Sequence, residues 1–187
     1  DKVNVFALAI GAPGAAYAAG EQPLTAEGES GFIASWHASG WTQIDPGRPD
    51  IIHTMALDQS GGLYVAGQIE RGAGAAFVDY WDGTYWTTIA GQFEGEAPAV
   101  FALAVDANGS LCVGGEFDSV SGIPASNIAC WDGNTWHALG NGVNERVFGL
   151  AFDSGASLYA VGYFTEVGDL PADHVGRWDG QRWHALS

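Results

Sequence analysis

"IACWDGNTWHALGNG", residues 128–142, sets Trp131 and Trp136 on either side of an Asp-Gly, and the chain writes the same phrase more than once. "YWDGTYWTTIAGQ" begins at Tyr80, "RWDGQRWHALS" begins at Arg177, and "SWHASGWTQID" at Ser35 is a degraded copy with His37-Ala38 in place of Asp-Gly. The first tryptophans, Trp36, Trp81, Trp131 and Trp178, are 45, 50 and 47 residues apart, and Trp41, Trp86, Trp136 and Trp183 keep the same spacing. A fixed period of this length is the mark of a repeat architecture.

Other positions keep step with the tryptophans. "VFALAI" at Val5, "HTMALD" at His53, "VFALAVD" at Val100 and "VFGLAFD" at Val147 each open a unit, and Gly20, Gly67, Gly115 and Gly162 follow within it as a second register mark. The 187 residues divide into four units, approximately 1–48, 49–97, 98–143 and 144–187, within one domain.

Each unit holds four short runs rich in Val, Ile, Leu, Phe and Trp, punctuated by Gly, Asn, Asp and Pro, which predicts four antiparallel strands, a to d. Strand a is apolar at both parities, so both of its faces are covered. Four-stranded units with two buried faces, repeated in tandem, predict an all-β fold, a β-propeller of four four-stranded antiparallel blades with strand a innermost. A β-solenoid is the competing architecture, but its coils are usually shorter. The tight turn between the paired tryptophans sets them opposite each other on strands c and d, where opposed aromatics stabilise a sheet and cover the neighbouring blade. Their alternative role is as sugar-stacking platforms.

Units of the form "VFALAVD…LCVGGEF…NIACWDGNTWHALGNG" resemble the WDG-type, kelch-like repeat propellers of large secreted or surface-anchored bacterial proteins. The resemblance covers the whole chain and is weakest in the first unit, which lacks Asp-Gly and carries the insert "EQPLTAEGESG". It implies a propeller outside the cell with a binding or scaffolding role, and it brings no catalytic motif.

Asp and Glu number 22 against 6 Lys and Arg, a formal charge of −16. That balance argues against a basic nucleic-acid-binding face and for a surface that attracts cations. No apolar run approaches a membrane span, so membrane insertion is not expected, and the start at Asp1 reads as a processed or excised segment. Cys112 near the start of strand b and Cys130 near the end of strand c fall at adjoining strand ends, where the second unit has the matched pair Tyr64 and Tyr80. A disulfide is expected, with two inert buried thiols as the alternative; the bond would require an oxidising compartment, extracellular or at the cell surface. Asn108 in "NGS" is a glycosylation candidate whose simpler reading is turn chemistry.

The strand-a cores read Phe6-Ala7-Leu8-Ala9, Thr54-Met55-Ala56-Leu57, Phe101-Ala102-Leu103-Ala104 and Phe148-Gly149-Leu150-Ala151, without a carboxylate, histidine or cysteine. On that ground the chain is expected not to be an enzyme, and no catalytic residue is assigned. Asp58, Asp106 and Asp153 open turns after strand a, where Asp bonds its own backbone; they lack the ligand series of a calcium loop. The histidines show no metal spacing, His53 replacing a phenylalanine and His137 and His184 reading as outer-strand surface residues. No cofactor or metal site is therefore expected beyond weak calcium binding at acidic loops.

The face carrying the b–c and d–a loops varies most between units, and variable loops on a repeated scaffold are where binding is placed. Its ligand-binding candidates are Glu21, Glu70, Arg71, Glu116, Asp118, Glu166, Asp169 and Asp173, with Asn4, Asp50, Glu96, Asn144, Glu145 and Arg146 before strand a. The function expected is a structural, adhesive or protein-binding module. The alternative is a lectin-like glycan-binding propeller, and a hydrolase or lyase stands third. Partners are a protein or glycan at the loop face, or further blades, through self-assembly by blade faces or stacked rings. Every unit begins with its own strand a, so closure by face packing of the fourth unit on the first, Phe6–Leu8 against Phe148–Phe152, is the favoured arrangement.

Overall fold

A computed structural model describes residues 4–11, 15–25, 28–44, 50–69, 74–89 and 91–186. Among them there is no helix, and the principal strands form four four-stranded antiparallel sheets, the blades of a β-propeller. The first is β1 (Asn4–Ile10), β2 (Ala16–Thr25), β3 (Gly28–His37) and β4 (Gly40–Gln43), and the second is β5 (Asp50–Leu57), β6 (Leu63–Ile69), β7 (Ala75–Trp81) and β8 (Trp86–Thr88). A short β9 (Phe93–Glu94) precedes the third blade, β10 (Ala99–Val105), β11 (Leu111–Glu116), β14 (Ile128–Trp131) and β15 (Trp136–Ala138), which carries the hairpin β12 (Ser119–Val120) and β13 (Ile123–Pro124) between its second and third strands. The fourth is β16 (Val147–Phe152), β17 (Leu158–Gly162), β20 (Val175–Trp178) and β21 (Trp183–Ala185), with the hairpin β18 (Glu166–Val167) and β19 (Leu170–Pro171) in the same place.

The repeated phrase is a folding device. The tryptophans oppose each other in all four blades, with ring centroids 5.3–5.6 Å apart. In the last three blades the Asp of Asp-Gly clamps the turn: Oδ1 of Asp82 accepts the N–H groups of Thr84 and Tyr85, Asp132 those of Asn134 and Thr135, and Asp179 those of Gln181 and Arg182. The turns after the inner strands are closed as the sequence predicts, Asp58, Asp106 and Asp153 each accepting backbone N–H groups two and four residues on. Asn108 sits in the second of these turns, its own N–H held by Asp106.

Each innermost strand is bulged, its pairing skipping Phe6, His53, Phe101 and Phe148. The bulge drives the strand's backbone against the neighbouring strand at Gly20, Gly67, Gly115 and Gly162, where a Cβ would collide with the carbonyls of Asn4, Ile51, Ala99 and Arg146. This close approach explains the second register mark. In the second unit His53 stands at this bulge in the phenylalanine place, one residue before the core Thr54–Leu57, so the innermost row contains a histidine.

Blades pack face to face along their inner strands, β1 against β5, β5 against β10 and β10 against β16. One face of each blade supplies a leucine and tryptophan surface, the other small and β-branched residues. At the interface of the third and fourth blades, Ala104, Ile128 and Leu139 meet Val147, Leu158 and Trp183. The interfaces before it repeat the pattern, Ala66 and Val78 meeting Val100, Leu111 and Trp136, and Ala9 and Ile33 meeting Ile52, Met55 and Leu63. Indole N–H groups fasten blades together: Trp86 Nε1 donates to the Ile44 carbonyl at 2.6 Å and Trp183 Nε1 to that of Leu139 at 2.7 Å.

The ring does not close on itself. β16 has no packing against β1 comparable to the three inner-strand contacts, and Phe6, Leu8 and Phe148 are exposed. Four blades turn through only part of a circle, and the expected packing of Phe6–Leu8 on Phe148–Phe152 is absent. Cys112 and Cys130 pair directly across β11 and β14 and are joined by a disulfide, with Cα atoms 4.0 Å apart. In the second blade the equivalent Tyr64 and Tyr80 stack at 4.7 Å. The bond fits an oxidising environment. Among the described residues no helix is long and apolar enough to cross a membrane.

Candidate functional site

The loop face is built by pairing between loops. β12 pairs with its hairpin partner β13 and with β9, the segment leading into the same blade, and in the fourth blade Val143 bridges to Val167 at the equivalent place. Asn127 fixes the junction: its Oδ1 accepts the Phe117 N–H and its Nδ2 donates to the Val143 carbonyl. Asn144 does the same for the fourth blade, accepting the N–H groups of Thr165 and Glu166.

These junctions frame a cleft of about 240 Å³ lined by Gly95, Glu96, Glu116, Phe117, Asp118, Asn127, Asn144, Glu145 and Arg146. Its floor crosses from the third blade to the fourth. Arg146 grips Glu116 with two nitrogens, Nε to Oε2 at 2.7 Å and Nη2 to Oε1 at 2.8 Å, the fork geometry that guanidinium and carboxylate share. Both partners are partly exposed, so the pair orients the cleft more than it stabilises the fold. Glu96, Asp118 and Glu145 stand beside it, giving four carboxylates against one guanidinium. A concave site with one sign of charge in excess concentrates counter-charged groups.

Of the candidates named from sequence, Glu116 and Asp118 of the b–c loops and Glu96, Asn144, Glu145 and Arg146 before strand a line this cleft. Asp169 is elsewhere, receiving two hydrogen bonds from Asn141 Nδ2 and lining a separate cleft of about 410 Å³ with Trp178, Gln181, Arg182 and Trp183. Glu166 offers its backbone N–H to Asn144, Asp173 lies exposed beside His174 at 3.6 Å, and Glu21 sits opposite Asn4 in the first blade. Glu70 and Arg71 lie outside the described residues. Among the described residues no three His, Cys, Asp or Glu side chains converge on a point that could hold a metal ion.

Two features escaped the sequence reading. Along the inner strands His53 stacks on Phe101 at 4.9 Å, Phe101 on Phe148 at 5.4 Å, and Phe148 on Tyr163 at 4.8 Å, a continuous aromatic row. Burial pushes the His53 imidazole below its usual range. His137 and His184 are not idle surface residues: their Nε2 atoms bond Oδ2 of Asp132 and Asp179 at 2.8 and 2.6 Å. The spacing Asp-Gly-x-x-Trp-His was legible as a contact across the hairpin.

Asp132 is held well below the usual carboxylate range, first by the Thr135 N–H and then by the His137 ring. Asp179 is held down first by His184 and then by the Arg182 N–H. A carboxyl with a lowered folded pKa contributes stability above its unfolded value and loses it as pH falls through the folded one; a buried neutral histidine loses its contribution as pH falls below its unfolded value. Unfolding midpoints should therefore decline gently below about pH 6.5 and steeply below about pH 4. His53→Phe should remove the gentle part, and Asp132→Asn with Asp179→Asn should flatten the steep one. A pH profile identical in all three proteins would remove both assignments.

No family model matches the chain and no curated protein matches it. Solved structures do. The chain resembles YCF48 bound to a D1 peptide, with a TM-score of 0.54 and 13% identity over 99% of this chain and 54% of that one. It resembles a gluconolactonase from Xanthomonas campestris, TM-score 0.54 and 13% identity over 90% and 61% of the two chains. A protein of unknown function from Dyadobacter fermentans gives 0.52 and 11%, over 97% and 64%. The chain thus spans 54–64% of the length of these propellers. The gluconolactonase corrects the expectation that the chain is not an enzyme: this fold carries catalysis, so the absence of a familiar motif excludes nothing. The ground for that expectation has also gone, since a histidine stands in the innermost row.

Proposed function

We propose that the chain is a binding propeller of the WDG repeat type, acting outside the cell, whose acidic loop face takes a basic segment of a partner protein. The observation that supports it is the cleft between the third and fourth blades, where Glu96, Glu116, Asp118 and Glu145 face a single cation, Arg146. A lysine or arginine entering there meets carboxylates gathered on one cleft, and charge-assisted hydrogen bonds of this kind contribute about 1.5–3 kcal/mol each. That YCF48, a propeller of similar shape, was solved with a peptide agrees with this reading.

Titration calorimetry with a short arginine- and lysine-bearing peptide tests it, against the same peptide with glutamate at those positions. The basic peptide should bind, less tightly at high salt, and Glu96→Gln with Asp118→Asn should weaken it by roughly a hundredfold or more. Arg146→Gln should strengthen it by releasing Glu116. Equal binding of the acidic peptide would end the proposal. The 410 Å³ cleft, with Trp178 beside Asn141 and Asp169, supports a glycan as the second reading. Neutral oligosaccharide binding lost in Trp178→Ala would move the site there.

A further inference from the structure

The two end blades present opposite halves of one interface. In the second to fourth blades the face turned toward the preceding blade is buried or half-buried: Met55 is 9% exposed, Leu103 8% and Trp183 4%, while Trp86 and Leu150 are half-buried. On the first blade the equivalent residues are open, Leu8 at 62% and Trp41 at 52%, with Val5, Ile10 and Trp36 exposed around them. Among the described residues no acceptor meets the Trp41 indole N–H, although Trp86 and Trp183 use theirs to hold the preceding blade. At the other end, Val161 and Leu186 of the fourth blade are 44% and 38% exposed, where Ala66, Gly114 and Leu139 of earlier blades are covered. Leu186 stands where Ile44 and Leu139 stand, three residues beyond the second tryptophan, the position whose carbonyl accepts the indole N–H at those two junctions.

We propose that a second copy of the chain covers both faces at once, the first blade of each copy docking on the fourth blade of the other to complete one ring. The complementarity is already demonstrated three times within the chain, since each internal interface joins these same two faces. Because the contact is heterologous, two copies related by a two-fold axis form it twice. Eight blades lie within the range that propellers adopt. Leaving both faces in water would expose apolar patches of the kind that drive association.

Sedimentation velocity of the chain at micromolar concentration tests this. The expected species has twice the 19.5 kDa chain mass. Leu8→Asp spoils only the first blade's face and Val161→Asp only the fourth's, so each variant alone should sediment as a monomer. Both positions are exposed in the single chain, and near-ultraviolet circular dichroism should show the fold unchanged. Mixing the two variants leaves one intact pair of faces and should restore a heterodimer. A wild-type monomer would overturn the proposal, as would a mass that grows past the dimer with concentration. So would a dimer insensitive to both substitutions, or a mixture that stays monomeric.

Discussion

Trp183→Ala should lower the stability of the protein by about 3–5 kcal/mol, the range for removing a large aromatic from a packed interior. The side chain is buried between blades, its ring centroid 5.6 Å from that of Trp178 and its indole N–H bonded to the Leu139 carbonyl. Alanine would leave a cavity against Gly176, whose backbone approaches the ring because it carries no Cβ. It would also strip a carbonyl at the blade junction of its partner. Trp183→Phe separates the two contributions, keeping most of the ring and losing only the hydrogen bond, for about 1 kcal/mol. Urea denaturation followed by near-ultraviolet circular dichroism measures both. A loss below about 1 kcal/mol in Trp183→Ala would show that this position does not hold the blades together.

Removing the Cys112–Cys130 disulfide should cost about 2–4 kcal/mol. The bond closes a loop with a sequence separation of 18 and ties the second strand of the third blade to the third, beneath the interface with the fourth. Its stabilisation acts on the unfolded chain, which the crosslink keeps from spreading. The same position in the second blade is held by stacked tyrosines, and Tyr80 Oη donates to Asp58 Oδ2 at 2.7 Å, so the site can be filled without a covalent bond. Cys112→Ala with Cys130→Ala should therefore fold, with a lower urea midpoint that reductant no longer changes. If the native protein's midpoint is also indifferent to reductant, the disulfide is not a source of stability.

What the sequence disclosed was whatever a single unit encodes. Trp131 opposite Trp136, Cys112 opposite Cys130 and the self-bonding Asp106 are relations within one blade, and each was legible from spacing and turn chemistry. His53 was read in the place of a phenylalanine, but the bulge that leaves this residue unpaired on the inner strand has no signature in the hydrophobic pattern, so its part in an aromatic row was not legible. The hairpins of β12–β13 and β18–β19 have strands of two residues, too short for any period to appear. Ring closure depends on the angle between successive blades summed along the chain, and no local pattern states that angle. The acidic cleft draws Glu96, Asp118 and Arg146 from three stretches separated by strands, so composition announced its charge but not its shape.

Because every interior interface joins the same two faces, a unit can be copied or lost without any new surface having to arise. An insertion of one whole repeat places a Leu103-like face against an Ile128-like face, as before, and a deletion rejoins the two that remain. The number of blades is thus a property of gene length rather than of any residue within a blade. Unequal exchange between segments that share this pattern would change the number of blades while keeping the same two faces at every junction.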